Sequence, residues 1–233
     1  MNALRRSNER GHADHGWLKS YHSFSFADYY DPAHMGYGPL RVINDDRVAP
    51  GAGFGTHAHR DMEIISYVLT GELAHKDSLG NGSVLRAGDV QRMSAGRGVL
   101  HSEFNQSTDQ AVHFLQIWIE PNVFGIPADY QQRHFSAAEK RGKLVAIAGP
   151  EGQDGQLLIR QDARLLAGLF DGEEAAEYEF APGRKGYLHV AQGEVSVNGT
   201  QLSAGDAMSF CSGGAVSIGR GKQAEILLFD MGQ

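Results

Sequence analysis

Short segments enriched in apolar, β-branched or aromatic residues, several of them alternating with polar ones, recur along the chain: Glu63 to Leu69, Val112 to Ile119, Lys143 to Ala148, Leu165 to Phe170, Tyr187 to Ala191, Glu194 to Asn198 and Glu225 to Phe229. A strand sends successive side chains to opposite faces, so this two-residue period predicts a mostly β protein with a few short helices at most. Glycine, present 30 times, punctuates the segments as tight turns would require. Asn81-Gly82 and Asn198-Gly199 supply the positive φ angles of two-residue hairpin turns. Asp129 to Glu139 has only weak helical character and Pro121 to Pro127 has that of a loop. A domain boundary is therefore expected between residues 125 and 140, dividing the chain into 1–130 and 131–233.

An internal echo supports two modules. Tyr67-Val68-Leu69-Thr70-Gly71-Glu72, followed by Arg86-Ala87-Gly88-Asp89, is matched by Tyr187 to Gly193-Glu194, followed by Ser203-Ala204-Gly205-Asp206. In both copies a strand is expected to end at a Gly-Glu turn and a returning strand to lead into an Ala-Gly-Asp turn. Only the first copy carries flanking histidines, and His189 stands alone in the second. One metal centre is therefore expected in the first half and a vacant second half.

Composition narrows the function classes. Lys and Arg number 21 against 28 Asp and Glu, a formal charge of −7, and the basic residues are scattered, which disfavours direct nucleic-acid binding. The opening segment holds Arg5, Arg6, Glu9, Arg10 and Asp14 and no apolar core, and no later stretch has the roughly 18 apolar residues of a membrane helix. A soluble, cytoplasmic protein is expected. The single cysteine, Cys211, suits a reducing compartment and is expected to be a buried, inert thiol.

The chemistry sits in two matched pairs, His57 with His59 and His101 with Glu103, each separated by one residue. On a strand such a pair shares one face with its Cα atoms roughly 7 Å apart, so two pairs on neighbouring strands can close around one ion. Imidazole plus carboxylate without thiolate suits a divalent first-row metal and leaves positions for further ligands. His75 and Asp77 form a similar pair, but they precede the loop Ser78 to Ser83 and are expected to cap it. Phe24, Phe26, Tyr29 and Tyr30 are assigned to the core by default, and His12, His15 and His22 receive no role.

The chain resembles the pirin family, two-barrel members of the cupin superfamily, nearly end to end. The resemblance is carried by Glu9-Arg10-Gly11-His12, Phe24-Ser25-Phe26-Ala27-Asp28-Tyr29-Tyr30-Asp31-Pro32, Gly53-Phe54-Gly55-Thr56-His57-Ala58-His59, Asp61-Met62-Glu63, Met93-Ser94-Ala95-Gly96 and His101-Ser102-Glu103-Phe104-Asn105. It implies two tandem cupin barrels of double-stranded β-helix type. The N-terminal barrel would hold one metal, commonly iron, taken here as Fe(II), through His57, His59, His101 and Glu103, and the C-terminal barrel would have no ligands. It also implies the quercetin 2,3-dioxygenase activity of some members, which opens the flavonol ring with O2 and releases carbon monoxide. Glu103 is then the candidate general base.

Against the wider cupin pattern, Gly51, His57, His59 and Glu63 fit the first motif, but Gly71 comes one residue late. Ser94 stands where proline is usual, and His101 lies two residues farther from Gly88. Two carboxylates thus compete for the fourth position. Glu103 is favoured over Glu63 because it shares strand parity with His101 and matches the pirin ligand. Two other readings accompany the enzyme: an iron-dependent, redox-sensitive regulator that binds a protein partner, and a barrel whose metal is only structural.

Overall fold

The computed structural model describes residues 2–211 and 213–232, and their regular structure is almost all strand, joined by turns and loops. Contacts divide them into two compact units, one of Gly11–His134 with Leu157–Gln161, the other of the segment up to Arg10 with Phe135–Gln156 and the chain from Asp162 onward. A single cut after residue 130 therefore misses two exchanged segments.

The first unit has two antiparallel sheets. The larger orders its strands Asp129–His134, Asp89–Ser94, Glu63–Thr70, Val112–Ile119, Leu40–Val48, Leu18–His22 and Gly11–Asp14, and the smaller orders Gly53–His59, Val99–Phe104, Glu72–Asp77 and Gly82–Arg86. Val112–Ile119 and Glu63–Thr70 lie inside the large sheet and are buried along most of their length, as their dense apolar runs predict. Val68, Leu73, Val112 and Phe114 form one apolar cluster, and Ile64, Met93 and Val99 another. The Gly71-Glu72 step is a corner: Glu63–Thr70 lies in one sheet and Glu72–Asp77 in the other, with only Gly71 between. Gly71 takes φ +78°, and a Cβ there would press on the Ala111 carbonyl, so the corner requires glycine.

In the second unit, Lys185–Val197 and Gly214–Met231 form the long central ladder. The predicted strands Tyr187 to Ala191 and Glu194 to Asn198 are one strand that bends through Gly193, where the register shifts repeatedly. Gly193 has φ +70° and packs against the Gln223 carbonyl, so the Gly-Glu step is again a bend and not a turn. Ala163–Phe170 flanks the ladder, and Ala3–Arg5 pairs with Ala207–Phe210 at its edge. Phe170, Phe180, Leu188, Phe210 and Ile226 anchor the core.

The Asn198-Gly199 turn forms as expected, with both residues at positive φ and Val197 paired to Thr200. The Asn81-Gly82 turn does not. Glu72–Asp77 and Gly82–Arg86 are joined by a longer loop whose backbone is held by the Asp77 carboxylate, which accepts from the N–H groups of Leu79 and Asn81. Asp129–His134 is an edge strand and not a weak helix, and among the described residues the helical segments are the short 3-10 turn Ser7–Glu9 and the α-helix Ala137–Lys140, capped by Ser136. Cys211 is exposed, contrary to the expected buried thiol, because the chain leaves the strand Ala207–Phe210 at that point.

Candidate metal centre

Strand pairing assembles the candidate donors. Gly53–His59 runs antiparallel to Val99–Phe104 with His101 directly opposite His57, and Val99–Phe104 also pairs with Glu72–Asp77, setting Glu103 opposite His75 and His101 opposite Asp77. Directly paired residues share a face, so three neighbouring strands aim their donors into one space. The three imidazoles stand ring to ring: 4.4 Å between the centroids of His57 and His101, 4.8 Å for His57 with His59 and 4.8 Å for His59 with His101.

The donor atoms form two overlapping groups, His57 with His59 and His101, and His75 with His101 and Glu103, each within 4.8 Å internally. The structure thus brings the three predicted histidines together, and it gathers Glu103 with His101 through the second group. Both groups lie in the first unit. Glu63 is in neither: it is buried, accepts from the Ser94 hydroxyl at 2.8 Å and faces Arg92, whose guanidinium is bound to Asp129. His75 was missed as a member. Its spacing matched the other two pairs, but the loop-capping role of Asp77 was sufficient to explain the motif, and only the register opposite Glu103 reveals the histidine.

The protonation pattern suits a cation. His57 Nδ1 donates to the Gly55 carbonyl at 2.8 Å, which fixes the tautomer and leaves the Nε2 lone pair available. Burial, with the charge of neighbouring imidazoles, pushes His101 down to about 3 and His59 down to about 4, so both rings are neutral at neutral pH, as a metal-binding imidazole must be. Both His101 nitrogens are buried without a hydrogen-bond partner, as is His75 Nδ1, while His75 Nε2 donates to Asp77 at 3.0 Å. Orphaned buried nitrogens are costly unless something else satisfies them, and a divalent ion fits the donor set. Glu103 is buried. Burial pushes its carboxyl up, opposed by Ser66, whose hydroxyl donates to Oε1 at 2.9 Å, and by Gln116, whose amide donates to Oε2 at 2.8 Å.

A cavity of about 350 Å³ opens against His57, His59 and Glu103. Phe26, Tyr29, Phe54 and Trp118 make its apolar wall, and Trp118 meets the His59 ring edge-on at 4.9 Å. Phe24 is core, as expected, but Phe26 and Tyr29 line the cavity and Tyr30 is exposed. The loop that carries them is latched by Asp31, which accepts from Ala33 N–H and His34, and by Tyr29 lying over Gly11, where any side chain would collide with the ring. His12, His15 and His22 all reach the same cavity.

The chain is similar to known proteins over nearly its whole length. Residues 3–119 match the family model described as pirin, and residues 146–231 match the quercetinase C-terminal cupin domain. The chain is 46% identical over 228 residues to a quercetin 2,3-dioxygenase of Escherichia coli strain K12, covering 98% of this chain and 97% of that one. It is 44% identical over 221 residues to a pirin-like protein of Caulobacter vibrioides, covering 94% and 95%. Among solved structures it superposes on E. coli YhhW with a TM-score of 0.94 at 44% identity, covering 99% of this chain and 97% of that one. A complex of the E. coli bacterial pirin YhhW with nickel(II) gives 0.94 at 44%, covering 100% and 99%.

Proposed function

Because the chain belongs to the pirin family, with a pirin domain followed by a quercetinase-type cupin domain, we propose that it is a metal-dependent quercetin 2,3-dioxygenase. The observation that carries this reading is the three converging imidazoles, two of which, His57 and His59, stand with Glu103 at the wall of a cavity large enough for a small aromatic molecule. His57, His59 and His101 would hold one divalent ion, with Glu103 as fourth ligand, and we take the ion to be Fe(II). When bound, it supplies a Lewis acid for a flavonol oxygen and redox access to O2.

The chain's own residues do the rest. Phe26, Phe54 and Trp118 offer flat apolar surfaces to the flavonol rings and keep water from them. Glu103, in the cavity wall, takes the proton of the 3-hydroxyl, and Ser66 and Gln116 hold the carboxylate in place. The overall conversion consumes one flavonol and one O2 and gives a depside and carbon monoxide, both oxygen atoms being incorporated. A redox-sensitive regulator would call for a small or capped pocket, whereas this cavity reaches the fourth-ligand side of the site. We assign the enzyme to the cytoplasm, where ferrous iron and an exposed Cys211 both stay reduced.

Aerobic quercetin consumption by protein reconstituted with Fe(II), set against metal-free protein and Glu103→Ala, tests the reading. Turnover is expected only with metal, and Glu103→Ala should lose it while retaining part of the ion. Full activity of Glu103→Ala overturns the base assignment, and no turnover by metal-loaded wild type overturns the enzyme.

A further inference from the structure

The large sheet lays a row of polar residues across the cavity's inner wall, and the row continues beyond the groups already assigned. His22, Asn44, Gln116 and Ser66 are successive cross-strand partners, so they share one face, and Gln116 and Ser66 are the groups that hold Glu103. One strand repeat along, roughly 7 Å away, the same face carries Asp46, paired with Ser20 on one side and Phe114 on the other. Asp46 is 3% exposed yet lines the cavity, and its Oδ1 has no hydrogen-bond partner. Ser20, His22 and Asn44 line the cavity beside it. An inner wall facing apolar rings has no structural need for a carboxyl group at that position, and its unsatisfied oxygen is costly unless a ligand meets it.

We propose that Asp46 is a substrate-recognition residue. It binds a second hydroxyl of a polyhydroxylated aromatic substrate, one ring position or ring away from the hydroxyl that faces Glu103, and so selects flavonols bearing peripheral hydroxyls over those carrying only the 3-hydroxyl. The inference rests on the dioxygenase reading for its substrate class. Burial first, with Asp45 and Glu103 nearby and Ser20 opposing, pushes the Asp46 carboxyl up to about 7. Near neutrality it can therefore donate to a substrate oxygen in one form and accept from a phenol in the other. A site that hydrogen-bonds a hydroxyl rejects analogues lacking it, because the buried polar group is then left unpaired.

The test compares quercetin with 3-hydroxyflavone on wild type, Asp46→Asn and Asp46→Leu. Two readouts are used: kcat/KM of the Fe(II)-loaded enzyme, and flavonol affinity of the metal-free protein from fluorescence quenching. Asp46→Leu should lower kcat/KM and affinity for quercetin about ten- to a hundredfold and change those for 3-hydroxyflavone less than about threefold, with the near-isosteric Asp46→Asn intermediate. Equal losses for both substrates assign Asp46 a structural role and overturn the proposal, and so does an unchanged preference in both variants. If wild type turns over neither flavonol, the dioxygenase reading fails, and the quenching ratio alone still decides whether Asp46 selects hydroxyls.

Discussion

At the scale of single residues the site is governed by how tightly each donor is held. Glu103 keeps both oxygens in hydrogen bonds, from Ser66 and Gln116, and is buried at the inner wall of the cavity. Gln116→Ala should therefore lower quercetin turnover about 10–100-fold, as loss of an outer hydrogen bond to a metal-site carboxylate does, with the three histidines still retaining metal. Steady-state kinetics with metal analysis on the same sample checks this, and an unchanged kcat would show that Ser66 alone orients the carboxylate. His57, His59, His101 and Glu103 were visible in the sequence because strand parity turns a spacing of two into a shared face. His75 and Asp46 were not, since each depends on which strand lies beside it. Nothing local distinguishes His75 from a loop-capping partner, or Asp46 from Asp45 one residue away on the opposite face. Cys211 failed for a related reason: burial is set by where a strand stops.

At the scale of elements, the Ala-Gly-Asp turn of the second unit does more than reverse the chain. Asp206 accepts from the Arg6 guanidinium at 2.7 Å, the Ser7 N–H at 2.7 Å and the Ser203 N–H at 3.0 Å, tying the turn to the N-terminal segment. Burial pushes its carboxyl up, but Ser203, Arg6 and Ser7 outweigh that and hold it below the ordinary carboxylate range. Its contribution is thus present above the unfolded pKa of about 3.9 and is lost as the pH falls through the lower folded value. Asp206→Ala should cost about 2 kcal/mol at pH 7 and progressively less in acid below pH 4, which urea unfolding at both pH values would show. The glycine positions of the repeat were legible, but their use as corners was not. A Gly-Glu step ends a strand or bends it according to whether the flanking residues find partners in another sheet. Asp129–His134 escaped because an edge strand with mostly half-exposed side chains carries little alternation to read.

For the whole molecule, the mostly β class and the two modules were legible from alternation and repeat, whereas the exchange of segments between units was not, since no local signal says which barrel a terminal strand completes. Deleting residues 2–10 removes the partner of Ala207–Phe210 together with the Arg6 and Ser7 contacts to Asp206. The second unit should lose roughly 3 kcal/mol. Amide hydrogen exchange should accelerate in Ala207–Phe210 and stay protected in Val112–Ile119, and equal acceleration in both would show that the units unfold as one. The same pairing has a consequence for synthesis on the ribosome. Ser7 and Asp206 are 199 positions apart, so at 5–20 residues per second the N-terminal strand emerges about 10–40 s before its partner exists. Through that interval a short strand with unpaired backbone groups is exposed to other nascent chains, and Arg5, Arg6 and Arg10, whose charge opposes pairing with a second copy of itself, are suited to guard it.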